Sequence, residues 1–272
     1  MAKLKAAGLS DVFSFENESL QQNRQFEESQ AAQSGSVQNG VTYKVYYLVL
    51  RQGVGQSPTN TDAVLASYNG RYLQSTTVEA VTTVAATAFE EVKLPQQFLS
   101  LLGTVKGWSE IFPQFKTGSY EEHKVNNIPD GTIDYTDFGA GVMFIPSGLA
   151  YYNYGAGSIP SYAPLVFSFK LYEIQRLDSD GDGVLNYQED LDGDGYMYDY
   201  RSLVNYPITP TTNSDDTDGD GIPNFFDIDD DGDNYTTKVE IKNTTTGLPY
   251  PFADIPTCTS GKKNFLDATC HP

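Results

Sequence analysis

Hydrophobic and polar positions change pattern several times along the chain. Residues 1–36, ending QQNRQFEESQAAQSGS, are polar and Gln-rich with weak helical periodicity, which predicts an N-terminal tail or linker. From Val41 the run VTYKVYYLVL is dense in β-branched and aromatic residues, and after the turn-forming RQGVGQSPTNTD comes a second such run, VLASYNGRYL; both predict strands. In PQQFLSLLGTVKGWSEIFPQF the side chains of Val105, Trp108, Phe112 and Phe115 recur at helical spacing, a short amphipathic helix that Pro113 should kink or end. Residues 119–140 are polar and turn-rich and read as an excursion from the core. VMFIPSGLAYYNYGAGSIPSYAPLVFSFKLYEI then predicts a strand, a Tyr- and Gly-rich loop and a closing strand. The sum is an α+β domain over residues 37–175, an antiparallel sheet around one short helix.

After residue 175 the pattern gives way to charge. The formal net charge of the 272-residue chain is −19, and residues 176–272 hold 20 Asp and Glu against 6 Lys and Arg, so −14 of it lies there. Such a segment repels nucleic acid and anionic membrane, and it needs a multivalent cation to fold compactly at neutral pH. No run of 18 apolar residues exists that could span a membrane as a helix.

The carboxylates are spaced for that cation. DSDGDGVLNYQE fits the calcium-loop pattern D-x-[DN]-x-[DN]-G-x5-E at every position. Asp178, Asp180 and Asp182 alternate toward one concavity, Gly183 permits the sharp turn, Val184 offers a backbone carbonyl and Glu189 closes the shell with two oxygens. DDDGDNYTTKVE repeats the pattern with Asp229, Asp231, Asp233, the Tyr235 carbonyl and Glu240, with Asn234 in place of the glycine. Between them DTDGDGIPNFFD offers Asp216, Asp218, Asp220, Asn224 and Asp227. DLDGDGYMYDYR supplies Asp190, Asp192 and Asp194 but ends at Arg201, which cannot ligate, so these three are expected either to form a site of their own or to share an ion with a neighbouring loop. Glu189 runs straight into the next loop and Pro207, Pro210 and Pro223 follow, so no paired helices can flank the loops as in a calcium sensor. The region resembles thrombospondin type 3 or similar bacterial calcium repeats, which implies a C-terminal module over residues 176–272 organised around several calcium ions.

The first domain resembles the FKBP-type peptidyl-prolyl isomerases, on SYNG at Ser67 to Gly70, VKGWSE at Val105 to Glu110, FIPSGLAY at Phe144 to Tyr151 and GSIPSYAPLVFSFKL from Gly157 to Leu171. The resemblance implies a prolyl pocket walled by Tyr68, Trp108, Ile159 and Phe167, with the Val105 N–H holding the peptide and the Tyr151 hydroxyl donating to a substrate carbonyl. It also implies a phenylalanine and an aspartate ten and eleven residues beyond Tyr68, where the sequence has Val78 and Glu79. Trp108 and Phe167 would equally suit the filling of a sheet core.

Two functions follow, from different classes. One is a prolyl isomerase or folding assistant of the cell envelope acting on Pro-containing polypeptide segments. The other is a non-catalytic interaction module attached to an envelope assembly. The paired cysteines Cys258 and Cys270 suit a disulfide in an oxidising compartment and are too few, with His123 and His271, for a structural zinc site. Together with the calcium loops they place the protein in the periplasm or at the outer-membrane surface, as a mature form whose signal peptide, and with it a lipid anchor, lies outside the sequence.

Overall fold

A computed structural model of the chain describes residues 26–30, 37–38, 41–201, 210 and 212–270. It divides into two compact units, Met1–Pro58 with Ala63–Gln175, and Thr59–Asp62 with Arg176–Pro272. The short insert 59–62 therefore belongs with the C-terminal unit, although the sequence pattern places it in the turn between two strands of the first.

In chain order the strands are β1 Phe26–Gln30, β2 Val37–Gln38, β3 Val41–Thr42, β4 Lys44–Arg51, β5 Ala63–Val78, β6 Val81–Val92, β7 Leu99–Ser100, β8 Ser119–Val125, β9 Ile128–Thr136, β10 Gly139–Ile145 and β11 Leu165–Gln175. The main sheet runs β1-β4-β10-β11-β5-β6, with β7 also on β5, and every pairing in it is antiparallel. Two features depart from the sequence pattern. Residues 26–30, expected in a weakly helical tail, pair with β4 from Phe26 opposite Leu48 to Gln30 opposite Lys44; a free strand edge offers backbone groups that a neighbouring segment can satisfy whatever its side chains. The segment 81–92 carries no hydrophobic alternation, yet forms the whole of β6 against β5.

Alternation explains the rest of the sheet. On β11 the odd positions Leu165, Phe167, Phe169 and Leu171 join Met143 and Ile145 of β10 and Val45 and Tyr47 of β4 in the main core. Val166, Val142 and Leu48 from the same strands form a smaller cluster on the opposite face. The main core is covered by α1, Lys106–Ile111, whose Trp108 and Ile111 are buried. Pro113 does not break the helix outright: the last turn continues as a 3-10 turn, Phe112–Gln114, in which the Phe112 N–H reaches the Trp108 carbonyl.

The excursion at 119–140 is itself ordered. Its strands β8 and β9 form a separate exposed hairpin, turned by Asn126 and Asn127 with φ of 54° and 64°, the conformation that two-residue hairpin turns require. His123 Nδ1 lies 2.7 Å from Asp134 Oδ2 and Nε2 3.7 Å from Asp130 Oδ2. The hydrogen bond to Asp134, and then the charges of Asp134 and Asp130, hold the His123 pKa above the usual imidazole value. A pKa raised in the folded state contributes stability that is present below the unfolded value of about 6.5 and is lost as pH rises through the folded one. An NMR titration of His123 should therefore give a midpoint above that of a free imidazole, and Asp134→Asn should move it down; a midpoint unmoved by the substitution would remove the pairing.

Among the described residues the second unit is built from turns, 3-10 turns and one four-residue helix, α2, Thr237–Glu240. Val184, Ile241, Ile255 and Phe265 make its small apolar core, and Cys258 and Cys270 are joined as a disulfide. Among the described residues no helix is long and apolar enough to cross a membrane.

Candidate active site and metal-binding loops

Four aromatic rings meet over the main core. The Trp108 ring stands edge-on to Tyr68 and Phe167, with centroids 5.0 and 5.2 Å apart. Phe167 also meets Tyr68 at 6.1 Å and Phe89 at 5.6 Å. Each contact has the edge-to-face geometry that ring quadrupoles favour. Gly70 makes the cluster feasible: a Cβ there would lie 2.6 Å from Phe89 Cζ and 2.8 Å from Phe167 Cε1.

Val105 and Ile159 pack in the same cluster. Val105 caps α1, its carbonyl accepting the Trp108 N–H at 2.8 Å. Ile159 is fixed by a two-way backbone bridge with Ala156. Tyr151, in the loop after the 3-10 turn Ser147–Leu149, is partly exposed. Burial first, then the nearby Glu90 carboxylate, and last Tyr151, push the Tyr68 phenol up to about 12, so its hydroxyl remains protonated. The Trp108 indole Nε1 is buried without a hydrogen-bond partner.

Val78 and Glu79 are not part of this site. Val78 is 64% exposed and pairs with Val81 at the far tip of the β5–β6 hairpin, and Glu79 and Ala80, with φ of 48° and 65°, are its turn. Counting ten residues from Tyr68 fails because the hairpin extends straight through that position before doubling back. The returning strand delivers Phe89 and Glu90 instead: a bulge where Gly70 pairs with Glu90 and Arg71 with Ala88 aims Phe89 at Phe167 and brings Glu90 near Tyr68. An aromatic ring and a carboxylate thus come near Tyr68 and Phe167 from positions eleven residues beyond those the resemblance implies. FE within the strand VTTVAATAFEEV was the available signal.

In the second unit four loops share one local fold. In each, the N–H of the sixth residue (Gly183, Gly195, Gly221, Asn234) donates to Oδ2 of the first aspartate, at 3.2, 2.8, 3.1 and 3.0 Å. The N–H of the seventh (Val184, Tyr196, Ile222, Tyr235) donates to Oδ1 of the fifth at 2.7 Å. The sixth position needs a left-handed backbone, and Asn234 adopts it at φ 75° as the glycines do. Carboxylate oxygens consequently gather within 4.8 Å of one another in Asp178/Asp180/Asp182, Asp190/Asp192/Asp194, Asp216/Asp218/Asp220 and Asp229/Asp231/Asp233, and also in Asp182/Glu189/Asp230.

Asn224 is not available as a ligand. Its Oδ1 accepts the Thr217 N–H at 2.9 Å and its Nδ2 donates to Thr217 Oγ1 at 2.8 Å. Asn186 braces Ser179 in the same way, and Thr237 does so with Asp230. The ninth loop position is thus a clamp on the second, and Asp227 remains to close the third loop, near the charges of Asp220 and Asp218. Arg201 turns away from the second loop to a two-point pair with Asp199.

Several buried carboxylates lack any partner: both oxygens of Glu189 and Glu240, Oδ2 of Asp180, Asp182, Asp215 and Asp231, and Oδ1 of Asp229 and Asp230. Burial first, then neighbouring charge, pushes Glu189 up to about 11, Asp230 to about 9, Glu240 to about 8 and Asp215 to about 7. Asp215 escaped the sequence pattern; its Oδ1 accepts the Leu191 N–H at 2.9 Å, and Asp192, Asp190 and Asp194 are the charges that act on it. Carboxylates buried together, offset only in part by the Lys238 charge at Asp182, fit a hard, oxygen-seeking divalent cation.

Residues 179–265 match the family model of the BamM C-terminal region. The chain is 29% identical over 147 residues, 54% of its length and 42% of the relative's, to the FKBP-type peptidyl-prolyl cis-trans isomerase FkpA of Aeromonas hydrophila. It is 28% identical over 139 residues, 51% of its length and 46% of the relative's, to the peptidyl-prolyl cis-trans isomerase Mip of Coxiella burnetii. The chain spans about half the length of the curated relatives it matches. Among solved structures, FkpA from Escherichia coli is similar over 48% of each chain, at 24% identity and a TM-score of 0.34.

Proposed function

We propose that the first unit is an FKBP-type peptidyl-prolyl isomerase of the cell envelope and that the second is a structural module held together by calcium. The observation that carries the first part is the aromatic box of Tyr68, Phe89, Trp108 and Phe167, with the Glu90 carboxylate near Tyr68. The sequence similarity to FkpA and Mip supports it. Rotation of an X–Pro amide faces a barrier of about 18–20 kcal/mol because resonance gives the C–N bond partial double-bond character. An apolar, water-poor box receives the twisted amide, in which that resonance is lost, better than either planar isomer, so no nucleophile or metal is required. Trp108 would floor the box, Phe89, Phe167 and Ile159 wall it, and the Tyr151 hydroxyl and Val105 N–H would hold the peptide carbonyls. Pro-containing segments of exported polypeptides are the corresponding substrates.

The test is a proline-limited refolding reaction, which takes tens to hundreds of seconds uncatalysed, with the full chain added. Tyr151→Phe removes one hydrogen bond worth roughly 0.5–1.5 kcal/mol and should slow catalysis by a few-fold to about tenfold. Phe89→Val should slow it as well, and Val78→Phe, 64% exposed at the hairpin tip, should leave it unchanged. Absence of acceleration by the unaltered chain would leave the second reading, a non-catalytic module docked on an envelope assembly.

In the second unit the fit to calcium rests on the donor set: carboxylates and backbone carbonyls only, three to five per loop, in the alternate spacing that flexible six- to eightfold oxygen coordination uses. Bound calcium would supply positive charge at the loop centres. The chain's own part is to set the aspartates through the sixth and seventh N–H groups and the Asn186, Asn224 and Thr237 clamps.

A further inference from the structure

Asp230 has no role in the fourth loop's own carboxylate group. Its neighbour Asp229 turns toward Asp231 and Asp233, while Asp230 turns the other way, its oxygen within 4.8 Å of those of Asp182 and Glu189 in the first loop. All three residues are buried, at 1%, 2% and 0% exposure for Asp230, Asp182 and Glu189. Asp230 Oδ2 accepts the Thr237 Oγ1–H at 2.9 Å. Asp230 Oδ1, Asp182 Oδ2 and both Glu189 oxygens have no hydrogen-bond partner.

The clamp does not account for the charge. At the equivalent second position the first and third loops have Ser179 and Thr217, whose hydroxyls meet Asn186 and Asn224 at 2.8 Å each. A neutral hydroxyl therefore suffices to brace the loop. A carboxylate whose second oxygen is buried against two others, with no donor, raises the free energy of the ion-free fold unless a cation sits among them.

We propose that Asp230, through Oδ1, is a ligand of the divalent cation held by the first loop, so that one ion fastens residues 178–189 to a carboxylate donated by the fourth loop. This rests on the calcium reading above and extends it: the first site is completed from outside its own twelve residues, and Thr237 is a positioning residue that orients the donated carboxylate. Asp230 and Glu189 then act at one ion, while Asp229 and Glu240 act at another.

Calcium titration calorimetry on the full chain tests this with Asp230→Asn, with Asp230→Ser, which puts a neutral hydroxyl at the second position as in the first loop, and with Glu189→Gln. Either Asp230 substitution should weaken one class of site by roughly tenfold and spare the others. In a Glu189→Gln background it should have no further effect. Thermal melting in chelator supplies a second sign: Asp230→Ser should melt no lower than the unaltered chain without calcium and should gain less when calcium is added. The proposal is overturned if the titrations of the Asp230 variants match the original, if the Asp230 and Glu189 substitutions weaken different classes of site, or if both Asp230 variants melt lower in chelator with the calcium gain intact. A flat titration of the unaltered chain would instead remove the calcium reading itself, and this inference with it.

Discussion

In a chelator the second unit should lose its cooperative unfolding transition at a temperature where the first unit remains folded. The reason is the sign of its buried charge. Among the described residues there are five groups whose carboxylate oxygens lie within 4.8 Å of one another, set against a small apolar core of Val184, Ile241, Ile255 and Phe265, with Met197 and Phe225 buried apart from it. A cation that binds the folded state adds about 2.7 kcal/mol per site at a hundredfold excess over its dissociation constant. Several such sites amount to the whole stability of an ordinary domain, about 5–15 kcal/mol. The first unit has its own core, built from α1 and strands β4, β5, β10 and β11, and among its described residues none of the grouped carboxylates. Hydrogen exchange with and without calcium resolves the two units; protection of the second that is indifferent to chelator would end the case for an ion-organised module.

Trp108→Ala should cost the first unit about 3–5 kcal/mol, the range for truncating a buried aromatic. The side chain is 3% exposed and touches three rings, Tyr68, Phe112 and Phe167, at 5.0, 5.1 and 5.2 Å. Trp108→Phe should be far milder, since it keeps a ring in place and discards an indole N–H that has no acceptor. Denaturant unfolding of both variants decides the matter. Equal losses would mean that indole size, rather than ring contact, is what the core requires; a loss below about 1 kcal/mol for alanine would remove Trp108 from the centre of the core.

What the sequence revealed divides by the range of the interactions concerned. The aspartate loops were legible because a calcium loop is written in consecutive residues: Asp178 to Glu189 satisfies the pattern position by position. Tyr68, Trp108, Ile159 and Phe167 were legible through short motifs that keep their spacing. Phe89 and Glu90 were missed because an elongated hairpin separates them from Tyr68, and β6 itself is exposed along most of its length and so leaves no alternation to read. Asp215 and Asp230 were missed for a related reason. Each acts on a loop other than its own, and nothing in a local pattern distinguishes a carboxylate aimed at a distant site from one aimed at water. Asn224 was misassigned because asparagine is a common ligand at that spacing, and only the Thr217 contacts show its groups to be in use.

The insert Thr59–Asp62 sets an order of events during synthesis. Asn60 exchanges two hydrogen bonds with Met197, 137 residues later, and the buried Asp62 carboxylate pairs with Arg176, 114 residues later. At about 5–20 residues per second a ribosome needs roughly 7–27 s to span the longer interval. Throughout that time the strands on either side of the tetrapeptide are already available to pair, yet Asn60 and Asp62 must stay solvated, with Thr59 as the nearby partner. The C-terminal unit therefore cannot be completed from C-terminal sequence alone, and a fragment beginning at Arg176 would lack the carboxylate that neutralises its first residue.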